Sequence, residues 1–210
     1  MLITGGSKGI GRALSEAFAE EYFVLTASRT EGDFVGDLTN QKFRNELVAK
    51  VDPFVVINCA GVFPNPETLI ESMQINLIAL MDLTITLMKK MKNGYVFNIS
   101  SVSGSAVAPP NLTGITYAIA KKAVSDFSHV VQLNNKSKVK VCTLEPGFVM
   151  TDMANIKNRY HSKDPEEHII KNGIVPFDPV YLAGVIRWII QQPSDVVISQ
   201  MRIMNSRSMY

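Results

Sequence analysis

The chain has 210 residues, 46% hydrophobic and 19% charged, with a net charge of +2. That length suits one well-buried domain, and the composition excludes a disordered chain. The small, scattered positive charge argues against a nucleic-acid partner. Two cysteines are too few for a disulfide framework, and three histidines apart from them suggest no metal site.

In chain order, Met1 to Thr4 reads as a very short strand that runs into glycines. Ile10 to Glu21 has helical spacing, with Ile10, Leu14, Ala17 and Phe18 on one side. Phe23 to Ala27 is a second strand, and Phe34-Val35 a fainter third before Asp37-Leu38. Gln41 to Lys50 is helical, and Phe54 to Asn58 is a continuous apolar strand of the kind covered on both faces. Glu67 to Met91 is a long helical region with Asn93-Gly94 as its stop. Tyr95 to Ile99 is the next strand, and Ser100 to Thr116 a loop rich in Ser, Gly and Pro. Tyr117 to Asn134 is helical, and Val139 to Leu144 is a strand ending at Pro146-Gly147. Asp178-Pro179 opens a helix to about Gln191, and Val196 to Ile203 closes the sequence as a strand. No apolar stretch is expected to reach transmembrane length, Phe54 to Phe63 being too short, and the N-terminus lacks the basic and apolar regions of a secretion signal. The expectation is a cytoplasmic protein with no membrane partner.

Alternating strands and helices predict an α/β fold: a doubly wound parallel sheet with helices on both faces, in a single domain over 1–210. Ligands in such sheets sit beyond the carboxyl ends of the strands. Gly5, Asn58, Ser101 and Pro146-Gly147 all follow predicted strands, so polar and glycine features converge on one rim.

The segment Thr4-Gly5-Gly6-Ser7-Lys8-Gly9-Ile10-Gly11 joins the first strand to the first helix. A turn in that place presents free backbone N–H groups to an anion, and glycines allow close approach. Alone it could be only a tight structural turn. Folds that bind NAD place an acid about 20 residues beyond the glycines, where it bonds the ribose hydroxyl. Here Ser28-Arg29 stands there. Arginine pairs well with a 2′-phosphate, and Lys8 could add a second charge, so NADP(H) is favoured and NAD(H) stays open. Against that, Arg29 could be a solvated turn residue, with Glu31 or Asp33 bending back to the ribose.

Tyr117 and Lys121 stand four apart on a predicted helix and share a face. A free tyrosine has a pKa of about 10, and an ammonium beside it favours the phenolate. Bringing it near neutrality takes about 3–4 kcal/mol of differential interaction. Ser101, sixteen residues before Tyr117, could hold a substrate oxygen for proton transfer. Such a pair is common by chance; its coincidence with the glycine turn and the strand ends points to a nicotinamide-dependent oxidoreductase.

With these residues the chain resembles the short-chain dehydrogenase/reductase family, single-domain type, over nearly its whole length. Thr4 to Gly11 matches T-G-x-x-x-G-x-G, and Asn58-Cys59-Ala60-Gly61 matches N-N-A-G with Cys in second place. Asn76 falls where the family carries a catalytic asparagine, and Gly104 after Ser100-Ser101 marks Ser101 as the serine. Pro146, Gly147, Val149 and Thr151 fall in the segment that reaches the nicotinamide. The resemblance implies a Rossmann-like fold in which Tyr117 is general acid/base, Lys121 depresses its pKa and bonds the ribose, and Ser101 orients the carbonyl. It implies that Asn76 holds a water leading from Lys121 to solvent, and that Asp37 and Leu38 contact adenine. The implied reaction interconverts a ketone or aldehyde with an alcohol by hydride transfer.

Departures from the family pattern are a short chain, a compressed segment between Arg29 and Asp37, and a longer Ser101–Tyr117 gap around Val107 to Thr113. A lid is expected at 148–173. Val107, Pro109, Phe148, Met150 and Met153 suggest an apolar substrate pocket, although core packing would explain several of them. Apolar residues on the two long helices suggest a homodimer or homotetramer. The rival reading is a non-catalytic NADP-binding sensor of the same fold, which would not need all of Ser101, Tyr117, Lys121 and Asn76. A sugar-nucleotide epimerase is disfavoured because the chain leaves little room for a substrate domain.

Overall fold

Strands β1 (Leu2–Thr4) and β4 (Val55–Asn58) are buried at every residue, and β5 (Asn93–Ile99) at all but its first. A strand covered on both faces has no polar side to show, so it reads as an unbroken apolar run. The computed structural model describes residues 1–105, 111–151, 153 and 175–206. With β2 (Leu25–Ser28), β3 (Phe34–Val35), β6 (Lys138–Pro146) and β7 (Gln200–Ile203) these strands form one seven-stranded sheet, ordered β3-β2-β1-β4-β5-β6-β7. Every pairing is parallel. The order reverses between β1 and β4, and there a crevice opens beyond the strand ends.

Helices lie on both faces. Ile3, Ile57, Phe97 and Leu144 pack with α1 (Gly9–Phe18) and α6 (Tyr181–Ile190) through Leu14, Phe18, Leu182 and Ile186. Leu2, Val56, Val96 and Val141 turn the other way, towards α2 (Gln41–Lys50) and α4 (Ala79–Lys90) through Leu47, Leu83 and Leu87. Alternate residues of one strand thus serve two cores.

Several expected boundaries move. Helix α1 stops at Phe18, and β2 starts at Leu25 because Phe23 is exposed. The long helix is continuous over Leu69–Lys90 but divided: α3 (Leu69–Met73), a π turn (Gln74–Ile78) and α4. By length and composition Leu69–Lys90 could cross a membrane, contrary to the expectation that no stretch reaches that size; here α4 buries Leu80, Leu83 and Leu87 in the fold. Gly94 is no helix stop. It lies in β5 with φ 122°, where a Cβ would come within 1.9 Å of the Phe54 carbonyl oxygen. Helix α5 (Leu112–Asn134) begins five residues before Tyr117, capped by Asn111, whose side chain accepts from the Gly114 N–H at 2.8 Å.

The β2–β3 connection is only residues 29–33, where parallel strands usually need a dozen or more. It closes because β3 is two residues long and pairs only with Ala27 and Ser28. Asp33 clasps the return: its Oδ2 accepts from the Thr26 N–H at 2.8 Å and the Thr26 hydroxyl at 2.9 Å. The helix that a normal crossover would carry is reduced to a turn.

Candidate active site

The glycine turn is held from below. Thr4 Oγ1 accepts from the N–H groups of Cys59 (3.1 Å) and Ala60 (3.2 Å), which joins the ends of β1 and β4. Gly5 has φ 72°, and a Cβ there would lie 2.8 Å from the Ala60 backbone. At Gly11 a Cβ would lie 2.3 Å from the Gly5 carbonyl oxygen. These two glycines therefore serve the turn's own packing. Gly9, φ 57°, is the one that faces the cleft: a Cβ there would meet only the Thr151 side chain, at 3.5–3.6 Å. Ser7 and Ile10 are half-buried beside it, and Lys8 is exposed. No side chain caps α1 and no acid occupies its first turn, so its leading N–H groups suit a phosphate. The turn fits a dinucleotide's phosphates on these grounds.

Arg29 is exposed beyond β2, while Ser28 is buried and its hydroxyl donates to the Glu31 carbonyl. The alternative ribose ligand Asp33 is engaged with Thr26. Asp37 Oδ1 accepts from the Thr39 N–H and hydroxyl, each at 2.8 Å, and Leu38 is buried. Leu38, Asn58, Ala60, Ile75, Ala79 and Leu80 border a cavity of about 10 Å³. The turn carrying Asp37 and Leu38 is fixed by Arg44, itself 7% exposed. Its Nη1 donates to the carbonyls of Leu38 (2.7 Å) and Thr39 (3.0 Å), and its Nε to Asp82 on α4 at 2.5 Å.

Lys121 reaches inward from α5 and is 5% exposed. Its Nζ donates to the Ile99 carbonyl at 2.8 Å and lies 5.7 Å from the Tyr117 ring centroid. Burial lowers the ammonium to about 8, opposed by the neighbouring Cys59 thiol. The Cys59 thiol is itself pushed up to about 12 by burial, against the pull of Lys121 and a Gly11 N–H bond. Tyr117 is half-buried, with the Phe63 ring 5.1 Å away centroid to centroid. Ser101 Oγ accepts from the Ser103 N–H at 3.2 Å, which leaves its own proton to donate. Ser100 is turned inward: its hydroxyl donates to the Lys121 carbonyl at 2.6 Å.

Asn76 is fully buried in the π turn. Its side chain accepts from the Val62 N–H and donates to the Val62 carbonyl, both at 2.8 Å. It thereby fixes the loop after Asn58. Gly61 lies between Asn76 and Lys121; a Cβ there would come 2.8 Å from Asn76 Oδ1 and 3.6 Å from Lys121 Nζ. Asn58 reaches below the rim, donating to Thr84 at 3.0 Å and Asn98 at 2.9 Å. Pro146 is buried, and Gly147 donates to the Ile203 carbonyl at 2.7 Å. Val149 bridges Phe177 across the foot of the expected lid: the Met150 N–H donates to the Phe177 carbonyl at 3.0 Å, and the Phe177 N–H to the Phe148 carbonyl at 3.1 Å. Residues 152 and 154–173 of that lid lie outside the described residues, as do Val107 and Pro109.

The family model described as short chain dehydrogenase matches residues 34–161. The chain belongs to the short-chain dehydrogenase family. Among curated members of that family, it is 25% identical to a serine 3-dehydrogenase from Rhizobium radiobacter, over 97% of this chain and 92% of that protein. It is 29% identical to a 3-oxoacyl-acyl-carrier-protein reductase from Vibrio cholerae, over 75% and 76%. Among solved structures, a closed serine dehydrogenase complexed with NADP+ superposes with a TM-score of 0.83 at 21% identity, over 100% of this chain and 96% of that one. A 4-hydroxyisoleucine dehydrogenase complexed with NADH gives 0.79 at 21%, over 97% and 96%. These likenesses carry the short-chain dehydrogenase fold, a Rossmann-like parallel sheet.

Two parts of this short-chain dehydrogenase were missed in the sequence. Arg44 looks like one more polar helix residue, and Glu145 like an isolated acid in an apolar strand. The fold buries both, and an acid that interrupts a core strand was the available signal for Glu145.

Proposed function

We propose that the protein is an NADP(H)-dependent oxidoreductase that interconverts a ketone or aldehyde with an alcohol, with Tyr117 as general acid/base. The observation that carries this reading is the burial of Lys121 Nζ beside the Tyr117 ring, at 5.7 Å from its centroid. A cation kept out of water acts on the neighbouring phenol with little screening. When bound, a nicotinamide dinucleotide supplies or accepts the hydride. In reduction, Tyr117 Oη gives its proton to the carbonyl oxygen as that oxygen gains negative charge. Ser101 donates a hydrogen bond to the same oxygen. Lys121 stabilises the tyrosinate, which regains a proton from solvent; in oxidation the proton runs the other way. Asn76 retains acceptor capacity to hold a water on that route.

The glycine turn with Gly5, Gly9 and Gly11 would hold the pyrophosphate, and Asp37, Leu38, Ala60 and Gly61 the adenine side. Thr151, opposite Gly9, would meet the nicotinamide end. The exposed cations Arg29 and Lys8 support a 2′-phosphate and hence NADP(H). Outward apolar residues on α5, including Ile115, Ile119 and Leu133, support a homo-oligomer. The free cysteines suit a reducing cytoplasm.

Loss of NADPH absorbance against a carbonyl panel tests this reading. The panel includes an aromatic ketone, a 3-oxoacyl thioester, a steroid ketone and, in the oxidative direction, serine with NADP+. Turnover of at least one supports the enzyme. Tight NADPH binding with no turnover of any would favour the sensor reading.

A further inference from the structure

We infer that Glu145 is a positioning residue: one buried carboxylate that fixes the serine turn, the Tyr117–Lys121 helix and the last strand relative to one another. The inference rests on the roles given above to Ser101, Tyr117 and Lys121. Glu145 stands immediately before Pro146-Gly147 and is 0% exposed. Its Oε1 lies 2.8 Å from Ser125 Oγ and accepts from Gln200 Nε2 at 2.8 Å. Its Oε2 accepts from Arg202 Nε at 3.0 Å and Nη2 at 2.8 Å. Ser105 Oγ reaches both oxygens, at 3.5 and 3.3 Å.

Each of these donors comes from an element that bears on the site. Ser105 closes the short 3-10 turn (Val102–Gly104) that begins at Ser101. Ser125 is one helical turn beyond Lys121, and its Oγ lies 2.9 Å from Ser100 Oγ and 3.2 Å from the Lys121 carbonyl. Ser100 donates to that same carbonyl. Gln200 and Arg202 belong to β7. The Lys121 ammonium is fixed to β5 through Ile99, while its backbone is fixed to α5. A shift of α5 against β5 therefore changes where the ammonium sits relative to the Tyr117 phenol. The Glu145 network opposes that shift.

A carboxylate only accepts, which suits an environment made only of donors. Glu145→Gln keeps the shape and turns N–H groups towards donors. The test needs no substrate. Tyrosinate absorbance is titrated in the NADP+ complex, with Tyr117→Phe subtracted, for wild type, Glu145→Gln and Arg202→Met. NADPH affinity is followed in parallel by fluorescence. The inference expects the Tyr117 ionisation in Glu145→Gln to move up by about one pH unit or more, towards the free phenol near 10. Arg202→Met should move it the same way, with NADPH affinity within about twofold of wild type in both. A folded Glu145→Gln that titrates like wild type overturns the inference. If Glu145→Gln does not fold, Arg202→Met decides alone, because its side chain is 41% exposed and leaves the carboxylate in place. A wild-type Tyr117 that titrates near 10 would instead bring down the catalytic reading on which the inference stands.

Discussion

Lys121 is the residue at which stability and function pull apart. Its ammonium is held near 8 rather than 10.5, mainly by burial. Below pH 8 the folded protein bears the cost of a buried charge, about 3 kcal/mol for a difference of that size. The folded-state pKa is lowered, so the unfolded chain binds more protons between about pH 8 and 10.5, and stability rises with pH across that window. Lys121→Met should therefore melt higher than wild type at pH 7 without cofactor. The gap should close towards pH 10.5, as followed by circular dichroism. Equal or lower stability of the variant at pH 7 would mean that the ammonium is not desolvated. Arg29 is a different case, an exposed cation with nothing to gain in the core. Arg29→Ala should weaken NADPH by about 10-fold or more, the size of a lost charge-assisted bond, and leave NADH nearly unchanged. Equal losses for both cofactors would remove the argument for NADP(H).

Among the elements, the turn after β3 shows what the missing helix demands. With only residues 29–33 joining β2 to β3, the Asp37–Leu38 turn is tied across to α4 through Arg44 and Asp82. Arg44→Met removes a buried guanidinium and strands Asp82, whose side chain is 36% exposed. A loss of about 2–3 kcal/mol is expected, short of the value for a fully buried pair, with a melting temperature lower by about 5–10 °C. Replacing Asp82 by Leu in the same chain should restore part of it. This element also marks the limit of the sequence. The strands β1, β4 and β5 were legible because burial on both faces dictates their patterns. The compression at 29–37 was legible as missing length. The π turn was not, because the contact that Asn76 makes from it, with the Val62 backbone, is tertiary. The early start of α5 was obscured by Asn111, which reads as a loop residue until its cap is seen. Arg44 was illegible, and Glu145 was legible only as an acid inside a core strand: what each one ties together depends on which strands and helices meet, and a local pattern does not carry that.

At the scale of the whole molecule, parallel pairing and the reversal between β1 and β4 bring Gly9, Asn58, Ser101, Pro146 and Thr151 to one rim. The continuous helix Leu69–Lys90 and α5 carry several exposed apolar residues. Ile78 and Ile85 on one helix and Ile119, Val130 and Leu133 on the other are at least 37% exposed. Light scattering after gel filtration should give a mass of at least two chains, and Ile119→Glu with Leu133→Glu should lower it. A wild-type monomer at micromolar concentration would leave those exposed apolar residues unexplained.

In the proposed reaction the Tyr117 phenol, beside a buried ammonium, moves the proton while a dinucleotide lies along the glycine turn. Tyr117→Phe, assayed on a carbonyl the wild type reduces and titrated with NADPH by fluorescence, tests it most directly. Turnover lower by about 100-fold or more is expected, in line with the loss of a general acid, with NADPH affinity close to wild type. Turnover near the wild-type rate with Phe at position 117 would contradict it.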